Sequence, residues 1–469
     1  MSAEPAVIEG SSLPAAAPPR GRRDEPEYLL TMSPFRAIFR LATPTTLVML
    51  IAATSNVLYT YYVSRIGPDA IAAVALVFPI ALLAITAMGG GVGAGAASAV
   101  ARALGAGRRH EATAVAEHAL VLSAVIGIVF GLAILVGAPT LFRLMGGQGA
   151  VLESAVMFAR VLFGGAVITF VGAMFDSVMR GEGNVRVPAI WSSTSLLLQI
   201  VLTPLFMFVA GLGLVGAPLA MLASQLLATI PRARYVFGGG GVVHPAPLPH
   251  RLALAPLGEI LRVGVPASLS TMINYVGMMV LTGVLARFGE AHLAAYGLAT
   301  RLDFLLLSFA YGFGAAVLTL VGLVTGAGRA DRALVYITRA GVIIVGLLTV
   351  PGVLLWWRPA LWLGIFTNDP GIQAVGAAYF RAIGPSYPFM GVAMVTAFAF
   401  QGLGRATAPL VWMIVRVVGV VTVALVCTQW FHLGDQAVFL TVAAGNVISA
   451  GVMLVLFLRV ERALRIRSR

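Results

Sequence analysis

The chain has 469 residues, of which 59% are hydrophobic and only 10% charged, and its mean hydropathy is +0.95. A water-soluble protein of this size needs far more charge to cover its surface, so a soluble globular fold is excluded. The net charge of +13 is carried by arginine alone, with no lysine in the sequence; a P-loop needs its lysine on the phosphates, so no ordinary ATPase motor is built in. The cations lie between apolar runs rather than on one basic face, which argues against a nucleic-acid partner.

In chain order, residues 1–36 read as an irregular cytoplasmic tail rich in Ala, Pro and Arg, with no signal-peptide pattern. Apolar runs then predict helices at 41–63, 70–104, 114–137, 154–179, 188–209 and 214–236, each long enough to cross roughly 30 Å of hydrocarbon. A Gly/Pro-rich linker follows (237–258), then helices at 262–286, 291–325, 333–357, 372–400, 409–430 and 436–459, and a basic tail, 461–469. The fold class is an all-α integral membrane protein of twelve transmembrane helices, with an N-lobe at 37–236 and a C-lobe at 259–460. Only Arg65, Arg143, Arg287 and Arg358 fall in loops on the side opposite the termini, so the positive-inside rule puts both termini in the cytoplasm.

The two halves repeat one another. SRIGPDAIAA (Ser64–Ala73) resembles ARFGEAHLAA (Ala286–Ala295), GAGR recurs at Gly105 and Gly326, and GEGNVRVPAIW (Gly181–Trp191) resembles GLGRATAPLVW (Gly402–Trp412). The offset is 221 or 222 residues throughout, and Arg160 and Arg381 share it. Six spans per copy is an even number, so the repeats are parallel, related by an axis along the membrane normal.

These segments, with NVLYTYYVSRIG (Asn56–Gly67), MRGEGNVRVP (Met179–Pro188), AAYGLATRLD (Ala294–Asp303) and FQGLGRATAP (Phe400–Pro409), resemble the multidrug and toxic compound extrusion (MATE) family over about residues 37–460. The resemblance implies two pseudo-symmetric six-helix lobes around a central cavity, and a cation-coupled antiporter (proton or sodium) exporting organic cations or xenobiotics. No cofactor is expected beyond the coupling ion, and the residues offer neither a catalytic constellation nor a metal motif. Its partners are small-molecule organic cations and membrane lipids in the inner (plasma) membrane, with nothing arguing for more than a monomer. The family's first-helix acid falls at Tyr59, its fifth-helix pair at Gln199 and Thr203, and its seventh-helix glutamate near Asn274, all neutral here.

A carboxyl at bilayer depth costs at least about 2.5–3.5 kcal/mol and so needs a reason. Asp303, inside the eighth helix on one stripe with Leu307 and Tyr311, is the first candidate for cation coupling. Arg301, two positions away, points to another face, although an interhelical ion pair is the competing role. Asp176 is a second candidate, with Arg180 its i,i+4 partner near the cytoplasmic surface. Arg160, Arg381 and Arg416 are expected to snorkel to the headgroups. His110, Glu111, Glu117 and His118 form no metal motif and read as a solvated face. The lone Cys427 reads as core packing.

The substrate cavity is assigned to Asn56, Tyr59, Gln199, Thr203, Asn274, Tyr275, Arg301, Tyr311 and Gln401. Tyr62, Phe78, Phe175, Met278, Met279 and Phe304 are further candidates for an adaptable apolar wall. Gly91 and Gly93, matched by Gly312 and Gly314, mark either hinges in interrupted helices or close packing. Against the efflux reading stand a lipid or lipid-linked oligosaccharide flippase of the same superfamily, a major-facilitator transporter and a membrane enzyme. GAGRRHE (Gly105–Glu111) lacks the Asp-Arg pair of the second, and no catalytic constellation supports the third.

Overall fold

The computed structural model describes residues 25–247, 253–431 and 433–467. Eleven of its helices are long and apolar enough to cross a membrane, and a bent pair supplies a twelfth. The spans in order are Pro34–Ser64, Pro68–Gly105, Arg109–Leu144, Gly149–Gly181, Arg186–Val209 and Gly213–Phe237. After the linker come Leu254–Ala286, Glu290–Gly326, Ala330–Trp357, Pro370–Gly402, Thr407–Gln429 and Asp435–Arg467.

The ends depart from expectation. Residues 1–24 lie outside the described residues, but Glu25–Thr31 is a helix rather than irregular tail, and the first span already begins at Pro34. Proline suits that first helical position, where its missing N–H would have no partner anyway. Leu29 is fully buried there, and the Leu30 carbonyl accepts from Arg332 at 2.8 Å. At the other end the basic tail continues the twelfth helix to Arg467.

Twelve spans bring the start of the first span and the end of the twelfth to one face, called here the terminal face. Near it the halves meet through contacts that come in reciprocal pairs. A Cβ on Gly105 would fall 2.1 Å from the Leu323 carbonyl oxygen, and one on Gly326 would fall 2.0 Å from that of Arg102. Ser98 donates its hydroxyl to the Gln401 carbonyl, and Thr319 donates to that of Arg180 at 3.1 Å. Gly91 abuts Ser268 as Gly312 abuts Thr46. In each case the partners exchange under the sequence offset, which is the signature of a two-fold relation between like surfaces. Because equivalent helix ends share the terminal face, the axis runs along the helices and the repeats are parallel.

Hydrogen bonds and close glycine contacts between the halves extend from this face to the level of Thr46, Tyr275 and Tyr311. Asn56, Phe78 and Met279, on the first, second and seventh spans, are exposed.

Two spans are broken at equivalent places. The fourth bends by 46° at Gly165, and the tenth is interrupted by a 3-10 turn at Gly384–Ser386. The interruption expected in both the second and eighth spans is found only in the second, as a π-helical turn at Ala87–Val92. The eighth is one continuous helix, so Gly312 and Gly314 serve close packing: a Cβ at Gly314 would strike the Phe398 ring at 2.3 Å.

Beyond Phe237 the linker is tied back to the first half. The Glu182 carboxylate accepts from the N–H groups of Val242 (3.3 Å) and Val243 (3.0 Å). Glu117 accepts from Ala246 N–H and His118 Nε2 from Ala253 N–H, both at 2.9 Å. Glu117 and His118 are therefore not on a solvated face; their helix side is turned to the linker, and His118 is only 3% exposed. Glu111 does lie on the surface, paired with Arg108.

Candidate functional site

The break in the tenth span positions the most distinctive polar site. Tyr379 precedes the Gly-Pro-Ser turn and Tyr387 follows it, so the interruption aims two phenols from one span at a neighbour. That neighbour is the eighth span, where Asp303 accepts from the Tyr387 hydroxyl at 2.7 Å and, through its other oxygen, from the Tyr379 hydroxyl. Tyr379 is braced edge-on by Tyr296, Phe380 and Phe439. Both carboxylate oxygens are thus satisfied by neutral donors, which lets a charge survive in an apolar surrounding without a counter-ion. Arg301 is not its partner: its guanidinium lies 5.9 Å from the Phe366 ring, in the loop before the tenth span.

The first half carries a different arrangement. Asp176 pairs with Arg232 of the sixth span at 2.9 Å and accepts from Ser192 at 3.0 Å, while Arg232 also donates to Ser192 at 2.8 Å. The expected partner Arg180 donates to Ser177 instead. The helical offset allows the i,i+4 pair, but burial favours the interior cation: the Arg232 side chain is 3% exposed. The equivalent positions of the second half are Ala397 and Met453, so the pair has no counterpart there. Removing one partner of a buried pair strands the other charge, whereas replacing both with apolar residues is often neutral. Asp176→Ala is therefore expected to destabilise by about 3–5 kcal/mol, and Asp176→Ala with Arg232→Met to recover most of that. Denaturation in detergent measures both; equal losses would show that the pair does more than satisfy its own charges.

The remaining predicted residues separate by depth. Asn56 is exposed, and Tyr59, Gln199, Asn274 and Tyr275 are half-buried. Tyr275 reaches the side chain of Thr86 across the two halves. Thr203 is buried, its hydroxyl bonded at 2.6 Å to the Gln199 carbonyl. Tyr311 stands edge-on to Phe398, centroids 5.3 Å apart, facing Gly90. Gln401 lies with the seam at the terminal face rather than with Tyr59; its backbone serves Ser98, and its side-chain oxygen is buried without a hydrogen-bond partner. Phe175 packs in the core against Phe237. A Cβ at Gly93 would strike the Ser177 hydroxyl at 2.4 Å, the first-half counterpart of Gly314 against Phe398.

Sequence reasoning missed Tyr379, Tyr387 and Arg232. The one available signal for the tyrosines was Gly384-Pro385-Ser386, a turn tripeptide inside an apolar run. Arg416 was misread. It lies near the middle of the eleventh span, about 14 Å from its start, too far for its stem to reach the headgroups. It bonds Asn446 of the twelfth span at 2.8 Å.

A family model described as MatE matches residues 44–205 and again 266–426, so the match itself repeats at the internal offset. The chain is 24% identical to an FAD transporter of Shewanella oneidensis over 82% of this chain and 85% of that protein. It is 23% identical to the multidrug export protein MepA of Staphylococcus saprophyticus, over 93% and 96%. Among solved structures it superposes with a TM-score of 0.88 and 28% identity, over 93% of this chain and 98% of the other, on an outward-facing multidrug resistance MATE family transporter of the MOP superfamily.

Proposed function

The chain belongs to the MatE family, a family of membrane transporters and not of enzymes, and from that premise we propose that it is a proton-coupled exporter of organic solutes, cationic aromatic xenobiotics among them. The two halves rock about a central cavity by alternating access. The seam is closed at the terminal face, which lies in the cytoplasm, so the present conformation faces outward. The protein works as a monomer in the inner membrane.

The observation that carries the coupling role is Asp303 held between Tyr379 and Tyr387. A half-buried carboxyl at membrane depth, served by neutral donors, can take up and release a proton as its surroundings hydrate and dry. Hard cations gather several oxygen ligands at once; here both carboxylate oxygens already serve phenol protons, which favours a proton over sodium. Half-buried Tyr59, Tyr275 and Tyr311 offer ring faces to an organic cation.

In proteoliposomes, ethidium movement is expected to follow an imposed proton gradient and to ignore a sodium gradient. Transport driven by sodium alone, or by neither, rejects proton coupling. A second reading is export of larger anionic compounds or lipids, as by a flippase of the superfamily; the similarity to a protein named FAD transporter favours testing it.

A further inference from the structure

The eleventh span carries, near its middle, a half-buried guanidinium that no carboxylate answers among the described residues. Arg416 spends one N–H on Asn446 Oδ1 and sets another 3.9 Å from the Met413 sulfur, a weak acceptor. Its Nε is buried with no hydrogen-bond partner, and no carboxylate pairs with it among the described residues. An unpaired guanidinium at mid-span is costly, and the offset-equivalent residue of the first half is the buried but neutral Ser195. The fold nevertheless holds Arg416 in place. Asn446, 4% exposed, donates at 3.0 Å to Ser386, whose hydroxyl serves the Ile383 carbonyl at the break in the tenth span. Broken spans at matching places in two repeats are where transporters build midplane sites.

We propose that Arg416, oriented by Asn446 and Ser386, is an anion-recognition residue that receives the carboxylate or phosphate group of an exported amphiphile. The guanidinium fork presents its unused N–H donors in the geometry that a planar carboxylate or a phosphate accepts, and the bound anion supplies both the missing acceptor and the missing counter-charge. Such a site extends the range of the exporter to zwitterionic and anionic solutes. It rests on the transporter reading only for solute access, and its test is a binding equilibrium without a gradient, so that loss of proton coupling and loss of anion recognition are read separately.

Rhodamine 110, which carries a free carboxylate, and rhodamine 123, its methyl ester, differ only at the group in question. Fluorescence anisotropy with the full-length protein in uncharged detergent is expected to show tighter binding of the acid. Arg416→Gln should weaken the acid by about tenfold or more and leave the ester unchanged, with Arg416→Lys retaining part of the preference. The ester serves as the control for folding in each variant. Equal weakening of both dyes marks a structural arginine and overturns the proposal, as does a wild-type protein that does not bind the acid or prefers the ester. Phosphatidylglycerol added in mixed micelles separates the two anion sources: displacement of the acid by the lipid assigns the site to a headgroup and overturns recognition of an exported solute.

Discussion

Replacing Asp303 by asparagine is expected to collapse the steady-state gradient of an exported dye in proteoliposomes to near equality, while equilibrium binding of the dye persists. Exchange of one proton for one cationic dye moves no net charge, so each unit of pH gradient brings about 1.4 kcal/mol, equivalent to a concentration ratio of about tenfold, and the neutral amide cannot carry it. Asparagine keeps the size of the side chain and an oxygen for one phenol, so the fold is expected to stand. Tyr387→Phe removes one of the two donors that stabilise the carboxylate and should lower the transport rate by about tenfold, the cost of a hydrogen bond to a buried charge. Asp303→Glu tests whether position matters as well as charge. Should Asp303→Asn sustain the wild-type gradient, the coupling site lies elsewhere.

Filling the seam has the other large expected effect. A side chain at Gly105 or Gly326 must displace a backbone carbonyl of the opposite half rather than a flexible side chain. Overpacking of that kind costs about 1–3 kcal/mol per site. Gly105→Ala with Gly326→Ala is therefore expected to lower the melting temperature and to open the terminal face. Accessibility gives the specific readout. In a Cys427→Ala background, a cysteine introduced at Ser98, which is fully buried, should be slow to react with a charged maleimide and become fast when both glycines are replaced. An unchanged labelling rate would mean that the seam is not the gate.

The spans were readable because each is a one-dimensional signal: an apolar run bounded by Arg, Gly or Pro. The repeat was readable for the same reason, and Gly105 and Gly326 were located by the GAGR match before their reciprocal roles were visible. What could not be read was pairing across distance. Asp303 meets tyrosines 76 and 84 positions away, and nothing in its own helix announces them. Asp176 has a plausible sequence neighbour in Arg180, and nothing local announces Arg232, 56 positions away near the end of the sixth span. The stem of an arginine reaches a headgroup only from near a helix end, and Arg416 lies near the middle of its span, where its partner is Asn446, 30 positions away.

Where Gly105 and Gly326 meet the opposite half, the joint asks almost nothing of side-chain identity, since on one side it uses main-chain oxygen and on the other the lack of any substituent. Each copy of the duplicated unit was thus free to change its decoration while still fitting its twin. That freedom accounts for a molecule whose framework is even-handed and whose charges are not: among the described residues, the first copy holds the buried Asp176–Arg232 pair, and the second holds Asp303 and Arg416.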